Sequence, residues 1–236
     1  MQAQQLTLLN PLSIIPSQSI HSTNTRITSN GRAKAEKANA FRSYTDYLSV
    51  KNYFLNGKSK ENSLRNIMML DIGVGCGLRI SDIFSLRYRD FFNQRKEFYQ
   101  DLRIHELKTG KSTSSADDLV LITEAVRKSI SSYLDYVGWD FSLDDFLFKS
   151  KLPQKNKYVE EDGVSRINPL YGQYVLTPSS GHRIMKDAQR DLNLPINVGS
   201  HTLRKTFLTL AVLIGDMKFS HMSSIGLEIG QIMDLS

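Results

Sequence analysis

The chain has 236 residues, of which 40% are hydrophobic and 23% charged, and this is enough apolar material for one domain with a packed core. Its formal net charge of +6 favours a polyanionic partner such as a nucleic acid. The single cysteine, Cys76, excludes an internal disulfide framework and a cysteine-rich zinc site. Because no apolar run approaches the length of a membrane span and no secretory signal is visible, we expect a cytoplasmic protein without membrane contact.

The first residues differ in composition from the rest of the chain. Residues 1–32 are rich in Gln, Ser, Thr and Asn, which predicts a flexible polar leader. Ala33–Leu55 carries aromatic and aliphatic residues among basic ones, and this pattern indicates a first helix. After a polar break, Asn62 or Ser63 is expected to cap a second helix.

The second helix is predicted to end in a glycine-rich segment. Gly73, Gly75 and Gly77 are expected to break it, because glycine is unfavourable inside helices and permissive in turns. A short helix over Ser81–Leu86 follows. The sequence thus predicts a helix, a glycine turn and a further short helix in direct succession.

The next stretch changes from helical to alternating periodicity. Leu102 and Ile104 alternate with polar residues, and Leu119–Ile122 is an apolar run rich in β-branched side chains. The segment between them, Lys108–Asp118, is polar and typical of turns. Two antiparallel strands joined by an exposed loop are therefore predicted.

Helical periodicity then returns. A helix is predicted over Thr123–Val137, whose apolar residues share one stripe. Residues 149–168 are charged and contain Pro and Gly, which indicates a loop. Ser179 or Ser180 is expected to cap a helix that ends near Leu192. The polar side of that helix carries Arg183, Lys186 and Arg190.

The clearest amphipathic helix follows Ser200, which is expected to cap it. Its apolar residues at helical spacing are Leu203, Phe207, Leu210 and Ile214. Because strands are few, helices are many and no strand–helix alternation is visible, we predict an α+β fold, mostly helical with a small antiparallel β-sheet.

Three segments carry residues suited to phosphate chemistry. Arg79 follows the glycine turn at the start of a helix, where both the helix N-terminus and a planar guanidinium favour an anion. Lys108 lies in the polar turn Glu106–Lys111, from which an amine can deliver a proton. His201 and Arg204 are three positions apart and would share an exposed helix face. Each segment alone also fits an ordinary solvated surface.

Taken together, the three segments resemble the catalytic domain of the tyrosine recombinases, the phage integrase family. The resemblance rests on Gly-Leu-Arg-Ile-Ser-Asp at 77–82, Lys-Thr-Gly-Lys at 108–111 and His-Thr-Leu-Arg at 201–204. The order of helices and hairpin also matches. The resemblance covers roughly 33–211 and implies an integrase-like catalytic domain over residues 33–214.

The resemblance also implies a role for each site residue. Arg79 and Arg204 would grip the scissile phosphate, and Lys108 would protonate the departing 5′-oxygen. His201 would assist proton transfer, and Asp82 would orient active-site groups. The implied DNA-binding residues are Arg79, Lys108, Lys111, Arg204 and Lys205.

No cofactor and no metal is implied, because two fixed guanidinium groups can stabilise the charge that develops on a phosphodiester. The expected partners are double-stranded DNA and other recombinase subunits in a synaptic complex. The expected location is the cytoplasm, in association with the nucleoid.

The family's nucleophile has no counterpart in the last part of the sequence. In the family, a Gly-His-Ser-Ser-like segment follows the second arginine, and a tyrosine that forms a 3′-phosphotyrosine follows about nine residues later. Here the nearest match is Ser220–Ser224, with His221 as its histidine, and the last tyrosine is Tyr174. Residues 215–236 are therefore expected to be a divergent tail, and the chain is expected to be inactive alone.

Three explanations of the missing tyrosine are open. The gene is truncated or frame-shifted, the protein is an inactive DNA-binding remnant, or another subunit supplies the nucleophile. We favour the first, because the tail diverges as a block rather than at one position.

A rival interpretation is an enzyme of another class. Asp71-Ile-Gly-Val-Gly-Cys-Gly77 also resembles the cofactor loop of S-adenosylmethionine-dependent methyltransferases. In that class an apolar strand ends in an acidic residue, a glycine turn holds the cofactor, and Asp90 would bind its ribose. This interpretation requires repeated strand–helix alternation, which the rest of the sequence does not show.

Overall fold

The computed structural model describes residues 37–103, 119–155, 157–161, 164–168, 170–199 and 201–214. Within these ranges the helices are α1 (Tyr44–Leu55), α2 (Lys60–Cys76), α3 (Ile80–Ser85), α4 (Glu124–Val137), α5 (Pro178–Asp191) and α6 (Thr202–Ile214). The strands are β1 (Asp101–Arg103), β2 (Leu119–Leu121), β3 (Tyr158–Glu161) and β4 (Val164–Ile167). The fold is mostly helical with small antiparallel sheets, as predicted. No helix in the described ranges is long and apolar enough to span a bilayer.

Helix α2 lies at the centre of the core and packs against α1, α4 and α6. Its N-cap is Ser59, whose hydroxyl accepts from the Asn62 N–H, so the predicted caps at Asn62 and Ser63 are wrong. From Ile67 to Cys76 every residue of α2 is buried. The helix ends at Gly77, which has the left-handed φ of 65° that favours glycine.

The glycines of α2 mark close contacts with α6. A methyl group on Gly73 would lie 2.7 Å from Leu203 Cβ, and one on Gly77 would lie 2.7 Å from Phe207 Cγ. Gly73 and Gly75 are helical rather than helix-breaking. Gly73 admits Leu203 of α6, whereas a methyl group on Gly75 would lie 3.1 Å from Val126 Cγ2 of α4. Of the three predicted breaks, only Gly77 ends the helix.

The predicted hairpin is present in β1 and β2, which pair antiparallel with Leu102 opposite Val120. Both of these side chains are fully buried. Ile104 and the loop from Lys108 to Asp118 lie outside the described residues.

A second antiparallel hairpin, β3–β4, lies within 149–168, where a loop was predicted. The error has a sequence cause. Asp162-Gly163 is a hairpin-turn dipeptide between two segments that contain valine and isoleucine, a signal that the high charge of this stretch obscured.

The remaining helices agree with the periodicity but shift at their ends. Thr123 caps α4, and its predicted stripe is buried at Val126, Ile130 and Tyr133, whereas Val137 is exposed. Thr177, followed by Pro178 at the first helical position, begins α5, so the predicted caps at Ser179 and Ser180 are wrong. In the same way α3 begins one residue before the predicted Ser81.

Helix α1 begins at Tyr44, with Ser43 as its cap, and the described residues before it are not helical. These residues, 37–41, lie against the start of α6. Phe41 N–H donates to Thr206 Oγ1 over 3.0 Å, and Asn39 N–H donates to the Asn197 carbonyl over 2.8 Å. The segment is therefore fixed by backbone hydrogen bonds rather than by helix formation.

Candidate functional site

Arg79 is positioned by the end of α2. The left-handed backbone of Gly77 reverses the chain, Leu78 is buried, and Arg79 then takes the N-cap position of α3. Its side chain is 26% exposed, and its Nη1, the nitrogen nearest Asp82, is buried, so the guanidinium is partly accessible to solvent. A turn held by buried neighbours on both sides fixes the direction of this side chain.

Asp82 lies one turn further along α3 and is almost fully buried. Its Oδ2 is 3.9 Å from Arg79 Nη1, and its Oδ1 accepts a long 3.5 Å hydrogen bond from Ser81 Oγ. A buried carboxylate beside the guanidinium restricts the orientations that Arg79 can adopt. This geometry suits the orienting role that the resemblance implies for Asp82.

Arg204 reaches the same turn from the other end of the described chain. It lies in the first turn of α6, and its Nη1 donates to the Gly77 carbonyl over 2.9 Å. That carbonyl lies two residues before Arg79. The two arginines, from distant parts of the sequence, therefore lie on one glycine turn.

His201 immediately precedes α6 and is exposed. Its carbonyl accepts from the Lys205 N–H over 3.0 Å. The start of the helix is fixed by Thr202, which is fully buried and accepts from the Gly199 N–H over 3.0 Å. His201 thus lies just before α6 and Arg204 in its first turn, and the shared exposed helix face stays a prediction.

The ammonium of Lys205 has a different neighbour. It donates to the Ala38 carbonyl over 2.5 Å, so this side chain fastens the 37–41 segment to α6. Lys108, Lys111 and His221 lie outside the described residues, and their roles stay predictions.

Two features near the site were missed from the sequence. His182 of α5 lies beside the loop before α6, since a methyl group on Gly199 would be 3.2 Å from His182 Cε1.

Asp71 lies inside α2 and is 1% exposed. It accepts from Tyr47 Oη over 2.6 Å and pairs with Lys51 Nζ at 3.2 Å. A lone carboxylate among Met68, Met69, Leu70 and Ile72 was the available signal for this cluster.

The Asp71 cluster shows that the methyltransferase interpretation is wrong. In that interpretation Asp71 ends a strand and the glycines form a loop, whereas all of them except Gly77 are helical. Burial raises the pKa of Asp71, and Lys51 and Tyr47 oppose the rise. Asp90 belongs to a 3-10 turn, where its carboxylate accepts from the Arg87 N–H over 2.7 Å. These carboxylates join elements of the fold and do not line a cofactor loop.

Comparison with known proteins agrees with this geometry. Residues 49–212 match the model of the phage integrase family, and this range includes both arginines. The chain therefore belongs to the phage integrase family, the tyrosine recombinases.

Individual relatives give the extent of the likeness. YoeC, a probable integrase/recombinase of Bacillus subtilis (strain 168), is 31% identical over 166 residues, which are 70% of this chain and 70% of YoeC. The crystal structure of XerA recombinase superposes with a TM-score of 0.51 at 18% identity, over 84% of this chain and 60% of XerA. XerH recombinase bound to its difH substrate superposes with a TM-score of 0.47 at 14% identity, over 94% of this chain and 58% of XerH. The chain thus spans less than two thirds of these solved recombinases.

Proposed function

We propose that this chain acts in site-specific DNA recombination or integration by binding double-stranded DNA and gripping one phosphodiester with Arg79 and Arg204. The observation that carries the proposal is the hydrogen bond from Arg204 Nη1 to the Gly77 carbonyl, 2.9 Å long. It brings the second arginine to the turn that presents the first. Family membership and the names of YoeC and XerA support the same conclusion.

The chemistry of the proposed site follows from its charges. Attack on a phosphodiester builds negative charge on the non-bridging oxygens, and guanidinium groups fixed by the protein stabilise that charge without reorganising. Arg204 uses one of its five N–H donors on Gly77 and retains others for a phosphate. His201, at the same helix start, is proposed to assist proton transfer, and Lys108 to protonate the 5′-oxygen that departs.

Strand transfer needs a nucleophile, and the sequence from Lys205 to Ser236 contains no tyrosine. We therefore propose that this chain alone binds the phosphodiester without forming a 3′-phosphotyrosine. The same observation favours a second candidate function, a DNA-binding remnant that competes with intact recombinases at their sites. Both candidates place the phosphate-gripping domain within 33–214, act on DNA in the cytoplasm, and allow assembly with other recombinase subunits.

A nicked suicide substrate tests the proposal. The chain is incubated with duplex DNA that traps any covalent intermediate, and binding is measured by gel shift before and after denaturation. We expect a shifted complex at low salt and no covalent band that survives denaturation. Absence of any complex at low salt would contradict the proposed function.

The same assay separates the two candidate functions. An active member of the family whose own phosphate-binding arginine has been replaced is added to the reaction. If this chain accepts a nucleophile from another subunit, a covalent band appears in the mixture and disappears with Arg204→Ala in this chain. A remnant that only competes gives no band in the mixture.

A further inference from the structure

A two-stranded ribbon precedes α5 and has no place in the site described above. We define the ribbon as residues 149–155, 157–161, 164–168 and 170–175. Its pairing runs from Lys149 opposite Val175, through Gln154 beside Tyr171, to Tyr158 opposite Ile167. In its middle, the buried side chains of Asn168 and Gln154 are hydrogen-bonded over 3.0 Å. The ribbon is thus an ordered element.

The base of the ribbon is attached to the helix that Arg79 begins. The ring of Phe148, just before the ribbon, is 5.3 Å from the ring of Phe84 in α3. On the other side the ribbon leads into α5, where a methyl group on Gly181 would lie 2.7 Å from Ile80 Cγ1 of α3. The residues that flank the ribbon on both sides therefore pack on α3.

The surface of the ribbon is unusually apolar and aromatic for a solvent-facing element. Of the eleven exposed large hydrophobic side chains in the described ranges, the ribbon holds five: Leu152, Tyr158, Ile167, Tyr171 and Tyr174. Their exposed fractions run from 49% at Tyr171 to 69% at Ile167. A concentration of exposed apolar side chains on one element is typical of interaction surfaces.

The charge of the ribbon indicates which kind of partner it fits. Residues 149–158 contain four lysines and no carboxylate, whereas Glu160 and Glu161 form the end of β3. Lys149 is paired with Asp145 at 2.9 Å. Lys151, Lys155 and Lys157 are exposed. We call residues 149–155 and 157–158, together with 167–168 and 170–175, the basal half of the ribbon. This part is therefore basic as well as aromatic.

We infer that the basal half of the ribbon binds the phosphate backbone of the duplex that flanks the phosphodiester held by Arg79 and Arg204. The inference rests on the proposed function. Lysine ammonium groups neutralise phosphates, and tyrosine hydroxyls donate to phosphate oxygens. A second protein would instead have to bury three ammonium groups that no carboxylate of this half accompanies, which is unfavourable. A polyanion satisfies both the charge and the hydroxyl donors.

A pair of matched double variants tests the inference. Lys155→Ala/Lys157→Ala removes two charges from the ribbon. Lys58→Ala/Lys60→Ala removes two exposed lysines with the same spacing at the far end of α2, a helix of 17 residues and thus about 25 Å long. Affinity for a duplex of about 40 base pairs is measured over a series of salt concentrations.

The ribbon variant is expected to lower the slope of log K against log salt by about 1.8, since each phosphate contact contributes about 0.9. Its affinity at about 0.1 M salt is expected to fall about tenfold or more. The control pair should change neither quantity, and thermal melting should be the same for all three proteins because every replaced side chain is exposed. An unchanged slope in the ribbon variant overturns the inference.

Two further measurements keep the possible failures apart. The wild type and Arg204→Ala are titrated in parallel with the ribbon variant. If the wild type binds no duplex, the proposed function has failed. If the wild type binds duplex and the ribbon variant keeps the wild-type salt slope, only the inference about the ribbon is overturned. Sedimentation of Ile167→Ser/Tyr174→Ser tests a second copy of this chain as the occupant. A shift from dimer to monomer in that variant, with DNA binding unchanged, also overturns the inference.

Discussion

At the scale of single residues, Arg79 and Arg204 combine a structural contact with the proposed phosphate contact. Arg79 lies 3.9 Å from the buried carboxylate of Asp82, and Arg204 donates to a backbone carbonyl. An arginine that only faced solvent could be truncated to alanine with little loss of stability. The contacts instead indicate that alanine at either position removes folding energy together with DNA affinity.

Arg79→Lys separates the two effects. Lysine keeps a positive charge beside Asp82, so the free energy of unfolding should change by less than about 1 kcal/mol. A compact ammonium cannot bind a phosphate in bidentate fashion, so duplex affinity should fall about tenfold. Gel-shift titration and denaturant unfolding check the two halves of the prediction.

The control for this prediction is Arg190→Lys on α5. Arg190 is exposed and already paired with Asp187 and Asp191, so neither affinity nor stability should change. Equal affinity of wild type and Arg79→Lys would show that Arg79 does not hold a phosphate.

Lys51 is expected to stabilise the protein in a pH-dependent way. Burial raises the folded-state pKa of Asp71, and Lys51 is the main group that opposes the rise. A raised folded pKa means that the contribution of Asp71 to stability is present below its ordinary pKa and is lost as the pH rises. Lys51→Met raises that pKa further, so the variant should lose about 2–3 kcal/mol near pH 7, after discounting for the partial exposure of Lys51. The loss should shrink as the pH falls through the acidic range.

Urea unfolding of wild type and Lys51→Met at several pH values measures this difference. Lys51→Met/Asp71→Asn is the control, because it removes the buried charge as well, and its stability difference from wild type should vary less with pH. A loss for Lys51→Met that is constant from acid to neutral pH would show that Asp71 is not its cause.

At the scale of elements, the contact between α2 and α6 positions the proposed site. Gly73 and Gly77 accept the side chains of Leu203 and Phe207, and the Arg204 bond to Gly77 lies between these two contacts along α6. The close approach of the helices is therefore the reason that Arg204 reaches the turn before Arg79.

A double-mutant cycle on Gly73 and Leu203 tests this packing. Gly73→Ala places a methyl group 3.0 Å from Leu203 Cγ, an atom that Leu203→Ala removes, and should destabilise by about 1–3 kcal/mol through overpacking. Leu203→Ala should cost about 2–5 kcal/mol, because it leaves a cavity. The double variant should be more stable than the sum of the single effects predicts, since the added methyl group occupies part of the cavity.

Strict additivity in this cycle would show that the two residues do not share the space. Gly57→Ala with Leu203→Ala is a suitable control pair, because Gly57 contacts Ser63 and Phe54 rather than α6.

Periodicity predicted the elements better than their ends. The stripes of α4 and α6 and the pairing of β1 with β2 follow from apolar spacing, because burial of one face decides both. The caps of α2 and α5 are Ser59 and Thr177 rather than the predicted residues, since any hydroxyl just before a helix can accept its first N–H groups and the sequence offers several. The glycines of α2 were misread for a physical reason: a glycine that admits a neighbouring helix looks the same in sequence as one that forms a turn.

At the scale of the whole molecule, the site could be predicted only as a set of distant segments. Arg79, His201 and Arg204 were identified because their sequence contexts resemble one family. No local rule brings Arg204 to the turn at Gly77, 127 positions away. The Asp71 cluster was missed because its partners lie on another helix. The hairpin β3–β4 was missed because the high charge of its sequence obscured the strand pattern. The positions of Lys108, Lys111 and His221 remain predictions.

The lone cysteine reports on the opening of the whole core. Cys76 is buried at the end of α2, and burial raises the pKa of its thiol from 9.0 to about 12. The thiol therefore stays protonated in the folded state at pH values where it is ionised in the unfolded state. Its contribution to stability is fully present below the pKa of the unfolded state and is lost as the pH rises through the pKa of the folded state. Native protein at about pH 8 should react with a thiol reagent only as fast as it opens.

The reaction is measured by the absorbance of the thiolate that the reagent releases. The denatured chain should react with one equivalent of the reagent at once. Leu203→Ala should accelerate labelling of the native protein, because α6 covers the end of α2. Immediate labelling of the folded wild type would contradict the burial of Cys76.

The late position of α6 in the chain has a consequence for synthesis. During translation α2 is synthesised long before α6, the helix that packs on Gly73 and Gly77. Phe41 can form its hydrogen bond only after Thr206, 165 positions later, has been synthesised. A nascent chain that stops before α6 leaves that surface open and lacks Arg204 as well. The protein thus acquires a closed interior and a complete pair of arginines in the same step, so unfinished chains should remain both unfolded and unable to hold DNA.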